Sequence, residues 1–190
     1  MDVNQAIQAR RAYRSLVPVE ITRDLIDQLG QSVRLAPSCF NSQPWRFVFV
    51  SDPDVLKDMH SALSAGNAWA RAASLIIAVF SREEDDCVIR DRLYHQFDTG
   101  MGVGFLILRA TELGLVAHPI AGFSPKKARL ILGIPDEYQV IALIIVGKHA
   151  DHIGSDLTDE QKKKENMRPP RLNLGEFVYI DRFEPGAGSG

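Results

Sequence analysis

The ten residues from Ala36 to Trp45, Ala-Pro-Ser-Cys-Phe-Asn-Ser-Gln-Pro-Trp, restrict the fold of this chain more than any other stretch. A helix-like pattern ends at Pro37, and an apolar run of strand type follows Pro44. Each proline fixes one backbone dihedral and pushes the preceding residue toward extended geometry. The sequence therefore predicts a helix, a rigid polar loop and a strand, in that order. Such a loop suits a planar ligand with many polar edges, and a connector without a ligand is the alternative.

Three arginines lie close together near the N-terminus. Val3 and Ile7 place an apolar stripe on a short predicted helix, which ends in Arg10, Arg11 and Arg14. Two interpretations of this cluster are open from the residues alone. The cations either complement the negative end of the helix dipole, or they bind an anion through their guanidinium groups.

Helix and strand patterns alternate unevenly over most of the chain. Thr22 is a predicted N-cap and Pro37 a predicted stop, so a helix is expected between them. Predicted helices cover 23–35, 51–66, 91–114 and 124–132, and predicted strands cover 45–50, 74–80, 116–123 and 139–146. We predict a single α+β domain over residues 1–183, with a sheet covered by helices on both faces. Residues 184–190 are glycine-rich and predict a flexible tail.

The helix predicted from Asp91 to Gly114 has no polar face after Phe97. A helix of this kind is buried, and in a domain of this size a subunit interface is the simplest place to bury it. Its glycines at 100, 102 and 104 indicate close packing against another helix. They do not form a dinucleotide-binding motif, because the spacing differs and no strand precedes them.

Composition narrows the class of protein. The chain has 190 residues, 45% of them hydrophobic and 24% charged, with a net charge of −2. These values predict one soluble domain with small-molecule partners, and they argue against binding to nucleic acid or to an anionic membrane. Cys39 and Cys87 are too few for a secreted disulfide scaffold, and the N-terminus lacks the pattern of a signal peptide. We expect a cytoplasmic protein without a membrane anchor.

The C-terminal part changes character after the last predicted central strand. Residues 148–166 are polar and charged and predict an arm outside the core. His149 and His152 lie three apart without cysteines or acidic residues in helical register, so we expect no metal site. Cations return in the stretch Met167–Arg171, and Phe177–Ile180 predicts a final strand.

Four separate motifs resemble those of the nitroreductase family of flavin enzymes. The proline loop is similar to the family's A-P-S-x-x-N-x-Q-P-W, and the arginine cluster is similar to R-R-S-x-R with Ala12 in place of Ser. The stretch that ends at Phe123 resembles G-L-x-x-x-P-I-x-G-F, and Arg171 matches an arginine near the C-terminus that completes the phosphate site. Because Ala12 lacks the hydroxyl of Ser, the resemblance implies only a backbone contact to the cofactor at position 12.

The resemblance implies an FMN site. Its expected residues are Arg10, Arg11, Ala12, Arg14, Pro37, Ser38, Cys39, Asn41, Gln43, Asn67, Ala121, Gly122, Arg168 and Arg171. The arginines are expected to meet the phosphate, the ribityl chain and the pyrimidine edge, and the backbone at 121–122 is expected to lie against N5. Asn67 is either a turn residue or a flavin ligand. No side chain is expected to be a catalyst, since N5 of the flavin carries the chemistry.

The resemblance also implies a mostly antiparallel sheet and a homodimer whose C-terminal arms are exchanged. FMN would lie between the arginines of one subunit and the loop around Ser38 of the other. The expected activity is transfer of reducing equivalents from NADH or NADPH to an organic acceptor such as a nitroaromatic or a quinone. Reductive dehalogenation, flavin fragmentation and flavin binding without turnover are the alternatives. The charged segment Ser81–Asp91 is expected to be exposed and mobile, in the region where relatives vary the substrate lid.

Overall fold

The computed structural model describes residues 1–183, and the predicted tail at 184–190 lies outside that part. The helices are α1 (Val3–Ala9), α2 (Arg23–Arg34), α3 (Pro53–Met59), α4 (His95–Glu112), α5 (Pro125–Leu132) and α6 (Asp159–Asn166). The strands are β1 (Leu16–Val17), β2 (Arg46–Val50), β3 (Leu75–Ser81), β4 (Val88–Ile89), β5 (Arg92–Leu93), β6 (Val116–Ile120) and β7 (Gln139–His149).

The main sheet is antiparallel throughout and is built around β7. This strand pairs with β3, β6 and β1, and β3 pairs in turn with β2. In the register of the central pair, Ile77 lies opposite Ile144. The prediction of an α+β fold with an antiparallel sheet is therefore confirmed.

Helices cover both faces of this sheet. Alternate residues of β3, Leu75 and Ile77, pack with Leu29 of α2 and Leu106 of α4. The residues between them face the other way, into the cluster that contains Met59 of α3. Because every residue of β3 is buried, its unbroken apolar run is that of a strand enclosed on both sides.

Local capping signals determine the helix ends that the sequence predicts well. The Thr22 side chain accepts a hydrogen bond from the backbone N–H of Leu25 at 3.1 Å, and α2 begins at Arg23. Ser124 accepts from Lys127 at the start of α5, and Gly133 ends that helix with φ of 64°. Glycine adopts the left-handed conformation at little energetic cost, and this explains why α5 ends there.

Helix α4 is shorter than predicted, because the residues before His95 form the small hairpin of β4 and β5. The expected close packing is confirmed for Gly102: a Cβ there would lie 3.1 Å from Val33 Cγ1. This contact joins α4 to α2 of the same chain. On the outer face, Phe97 and Phe105 stay 64% and 42% exposed.

The C-terminal part differs from the prediction. Up to Asn166 it is not an arm, since β7 continues to His149 and the side chains of Leu157 and Glu165 are buried in the same chain. The predicted strand at Phe177–Ile180 is wrong for this chain taken alone: a single 3-10 turn is followed by irregular backbone. Within residues 1–183 this segment pairs with no strand of the sheet.

Candidate functional site

A pocket of about 210 Å³ lies between the two ends of the chain. Its lining residues are Arg10, Arg11, Ala12, Arg14, Lys164, Arg168, Pro169 and Arg171. The fold thus unites predicted site residues that lie more than 150 positions apart in the sequence. Lys164 was not predicted, because a lysine on a polar helix carries no signal that separates it from its neighbours.

The pocket is strongly cationic, and none of the described residues that line it is acidic. Burial lowers the pKa of Arg10 below its ordinary value, and the charges of Arg168, Arg171 and Arg11 lower it further. Like charges held this close repel one another, so the arrangement favours an anion between them.

Two of the arginines also fasten the ends of the chain together. The Arg168 guanidinium donates to the carbonyl oxygens of Gln8 and Arg10 at the end of α1. The Arg11 guanidinium donates to the carbonyl oxygen of Lys164 at 2.9 Å. The pocket is therefore held by hydrogen bonds that do not depend on a ligand.

Arg14 carries a buried donor without a partner. Its Nε makes no hydrogen bond among the described residues, and its guanidinium carbon lies 5.8 Å from the centre of the Trp69 ring. Buried donors are almost always paired in folded proteins, so an unpaired one in a pocket marks a place for an acceptor atom of a ligand.

Glu165 fixes the direction of the arginine segment. Its buried carboxylate accepts hydrogen bonds from the backbone N–H groups of Arg14, at 2.8 Å, and Ser15, at 3.0 Å. Sequence reasoning missed this residue, since a glutamate in the last turn of a lysine-rich helix is normally exposed. Its importance arises only from the tertiary contact.

The turn at Gly122 is braced from one side. The Asn67 amide nitrogen donates to the Gly122 carbonyl oxygen at 2.9 Å, and its amide oxygen accepts from the Trp69 indole at 3.2 Å. A Cβ at position 122 would lie 2.5 Å from Asn67 Nδ2 and 2.7 Å from Ser64 Oγ. Position 122 therefore requires glycine, because the side chains of Asn67 and Ser64 lie too close for a Cβ. The neighbouring Ala121 is exposed.

His118 packs against the arginine segment and contacts its backbone at Tyr13. It is 7% exposed, and its Nδ1 lies 3.0 Å from the carbonyl oxygen of Tyr13. Burial lowers the pKa of His118 to about 4, and the nearby Arg14 charge acts in the same direction although the Tyr13 carbonyl opposes it. The imidazole is therefore neutral at pH 7, and its Nδ1–H donates to Tyr13. The ring of Tyr13 stacks on the ring of His149, with 3.6 Å between the ring centroids.

The proline loop is ordered by its own hydrogen bonds. Ser38 Oγ accepts from the Gln43 N–H at 3.0 Å, and the Cys39 N–H donates to the buried carboxylate of Asp98 at 2.6 Å. Phe40, Asn41 and Gln43 all have positive φ, which is unusual for residues other than glycine. Pro44 is buried, whereas Pro37 and Asn41 are exposed. The loop is thus held by a hydrogen bond of its own and by a bond to α4.

The loop is also covalently tied to the segment after β3. Cys39 and Cys87 form a disulfide across 48 residues of sequence, a pairing that the sequence did not predict. Asp85 in the same segment pairs with Arg46 at 3.1 Å and with Arg82 at 2.7 Å. The segment that was expected to be exposed and mobile is thus anchored at several points.

Within residues 1–183, no hydrogen bond or ion pair joins the arginine pocket to the proline loop. One chain therefore presents two separate groups of predicted site residues. In the same residues, no helix is long and apolar enough to cross a membrane.

The sequence profile of the nitroreductase family matches residues 7–68 and 57–148. The chain belongs to the nitroreductase family. A similar curated protein is an NADH dehydrogenase of Thermus thermophilus, 26% identical over 182 residues, with 80% of this chain and 88% of the relative covered. The resemblance drawn from the four motifs is therefore confirmed.

Solved structures of the nitroreductase family share the fold. An oxidoreductase containing FMN superposes with a TM-score of 0.83 at 27% identity, over 97% of this chain and 94% of its own. A protein of Exiguobacterium sibiricum crystallised with FMN gives a TM-score of 0.80 at 20% identity, covering 95% and 97%. At 20% identity, the similarity to the Exiguobacterium sibiricum protein is evidence for the fold only.

The residues of this nitroreductase-family chain fit a flavin mononucleotide chemically. The cationic pocket suits a terminal phosphate, and the unpaired Nε of Arg14 suits a hydroxyl or ring carbonyl acceptor. The loop around Ser38 and the turn at Gly122 are each held in place by hydrogen bonds within the chain.

Proposed function

We propose that the protein is an FMN-dependent oxidoreductase that transfers reducing equivalents from NADH or NADPH to a small organic acceptor such as a quinone or a nitroaromatic. The observation that carries the proposal is the cationic pocket with the unpaired, buried Nε of Arg14. Membership of the nitroreductase family and the FMN in the oxidoreductase of similar fold support it.

In this proposal the chain binds and orients the cofactor, and the flavin supplies the electron transfer. The arginines at 10, 11, 168 and 171, with Lys164 and the backbone at Ala12, hold the phosphate end. Arg14 donates toward the ribityl chain or the pyrimidine edge and stabilises negative charge there. The loop residues 37, 38, 39, 41 and 43 and the backbone at 121–122 meet the ring, with Asn67 as the brace of that turn.

We further propose a homodimer that completes this site. Among the described residues no hydrogen bond or ion pair joins the arginine pocket to the proline loop, and a second copy would bring the loop of one chain to the arginines of the other. An apolar groove of about 340 Å³ lined by Val3, Ala6, Leu35 and Phe105 runs along α1, α2 and α4. Exposed apolar residues at 177, 178, 180 and 183 form a C-terminal segment that would cross to the partner. A cytoplasmic location belongs to the same proposal.

The test begins with the cofactor. Heat release followed by chromatography should yield FMN, and recovery of FAD alone, or of no flavin after reconstitution, would contradict the proposal. The yellow protein is then mixed anaerobically with NADH or NADPH while flavin absorbance is followed. Bleaching by either donor and return of colour on adding a quinone is the expected result. Bound FMN that neither donor reduces would instead favour a flavin-binding protein without turnover.

A further inference from the structure

The disulfide between Cys39 and Cys87 lies at a junction of two segments. Cys39 belongs to the loop 38–43, and Cys87 belongs to the segment 82–93 that contains the β4–β5 hairpin. Both cysteines are half-buried, and their Cα atoms lie 6.1 Å apart, within the usual range for a disulfide. Because neither cysteine is fully buried, we expect a small thiol to reach the sulfur–sulfur bond.

A carboxyl group adjoins the two sulfur atoms. An oxygen of Asp86 lies within 4.8 Å of both, and Asp86 Oδ1 accepts from the Cys87 N–H at 2.7 Å. Its other oxygen, Oδ2, is buried and makes no hydrogen bond within residues 1–183. Burial raises the pKa of Asp86, and the negative charge of Asp98 on α4 adds to this effect, while the Cys87 N–H opposes it. Asp98 and the Ser42 hydroxyl are the polar groups that face it from neighbouring elements.

We propose that Cys39 and Cys87 are a reversible thiol-oxidation site that exchanges with small dithiols, with Asp86 as its proton donor and acceptor. A thiolate of the dithiol attacks one sulfur, the Cys39–Cys87 bond breaks, and the departing sulfur takes a proton from the Asp86 carboxyl. The second thiol gives its proton to the Asp86 carboxylate and, as a thiolate, attacks the dithiol sulfur that is bound to the protein. The bond from that sulfur to the protein breaks, and the released protein thiolate takes the proton from Asp86. Asp86 then regains from solvent the proton that was lost when the first thiol ionised. The dithiol leaves as a cyclic disulfide, and the protein has gained two electrons and two protons as two thiols.

Reduction removes the covalent tie between the two segments and leaves weaker contacts. The loop keeps the bond from the Cys39 N–H to Asp98, and the segment keeps the ion pairs of Asp85. The segment 82–93 should therefore open more often. If FMN binds at the loop, it should also leave faster from the reduced protein, and this one consequence rests on the proposed function.

The first experiment counts thiols in the folded protein. Purified without reductant, the chain should show no free thiol, and equilibration with dithiothreitol should yield two while the far-ultraviolet circular dichroism is unchanged. Trypsin should then cut at Arg90 and Arg92 about tenfold faster. The Cys87→Ser variant should be cut at the fast rate with or without dithiothreitol. A bond that opens only in urea, or two thiols that persist in oxidised glutathione, would overturn the proposal.

A second experiment isolates the proton donor. Asp86→Asn should slow reduction by dithiothreitol at least about tenfold and should change the pH profile of the rate. Asp91→Asn, an exposed change in the same segment, is the matched control and should leave both unaltered. Equal reduction rates in the two variants would show that Asp86 is not the proton donor. Thiol counts need no flavin, so a chain that cycles its thiols but binds no FMN would defeat the proposed function alone.

Discussion

The carboxylate of Glu165 accepts the backbone N–H of Arg14 at 2.8 Å, so the C-terminal helix α6 sets the position of an N-terminal arginine. Both oxygens are used, since the second accepts from the next residue along the chain. A buried carboxylate with two charge-assisted bonds is a strong positional constraint. The geometry of the cationic pocket thus depends on a residue that does not line it.

Replacing Glu165 by Gln should weaken both folding and FMN binding. The amide turns one acceptor into a donor facing a backbone N–H, which should cost about 1–3 kcal/mol. Urea unfolding and titration of apoprotein with FMN measure the two effects. Asp159→Asn, at an exposed position on the same helix, is the control and should change little. Equal behaviour of the two variants would mean that Glu165 does not position the arginines.

Arg171→Ala should lower FMN affinity by about one to two decades, because one charge-assisted contact worth roughly 1.5–3 kcal/mol is lost. Its folding stability should stay near that of the parent, since Arg171 is exposed and none of the described residues that line its pocket is acidic. Fluorescence quenching of FMN gives the dissociation constant. Arg34→Ala, at an exposed position on α2, controls for net charge. An unaltered constant for Arg171→Ala would make it a surface cation only.

Gly122→Ala should distort the braced turn. The added Cβ would meet the Asn67 amide at 2.5 Å, and relief would break that amide's bonds, at a cost of about 1–3 kcal/mol. Gly66→Ala is a matched control, because nothing lies within 4 Å of a Cβ there. Thermal unfolding of both variants checks the difference. A double variant with Asn67→Ala should lose less than the sum of the single changes, and strict additivity would refute the clash.

Acid should destabilise the protein through His118. Its pKa is about 4 when folded against 6.5 ordinarily, so the unfolded chain binds more protons between these values. Stability from this group is therefore complete above pH 6.5 and falls toward pH 4, by about 3 kcal/mol in all. Urea unfolding from pH 7 to 4 measures the slope. His118→Gln should flatten it, whereas His152→Gln, at an exposed position, should not.

Deleting residues 172–190 should convert the proposed dimer to monomer. Arg171, Leu157 and Glu165 remain, so the chain should still fold, while the exposed apolar segment at 177–183 is lost. Obligate interfaces bury about 2,000–5,000 Å² in total, and losing an arm from each side removes a large share. Light scattering gives the mass. A truncated protein that is still dimeric would show that α1, α2 and α4 suffice, and a parent that is monomeric would refute the dimer.

Local signals in the sequence determined much of the fold. Thr22, Ser124 and Gly133 set helix ends through bonds within a few residues, and the unbroken apolar run of β3 marked a strand buried on both faces. The spacing of the motif around Pro37 and Pro44 identified the family, because the residues that shape such a loop are neighbours in the sequence. Such features depend on neighbours in the chain and can be read without knowing the fold.

Tertiary structure decided the rest. Glu165, Lys164 and the bond from Cys39 to Cys87 take their roles from residues far away in sequence, and no local pattern separates them from ordinary surface groups or thiols. The strand predicted at 177–180 was wrong for a related reason: its residues favour extended backbone, but a strand also needs a pairing partner, and within residues 1–183 this segment pairs with no strand. Local preference sets what a segment can become, and long-range contacts select which possibility is realised.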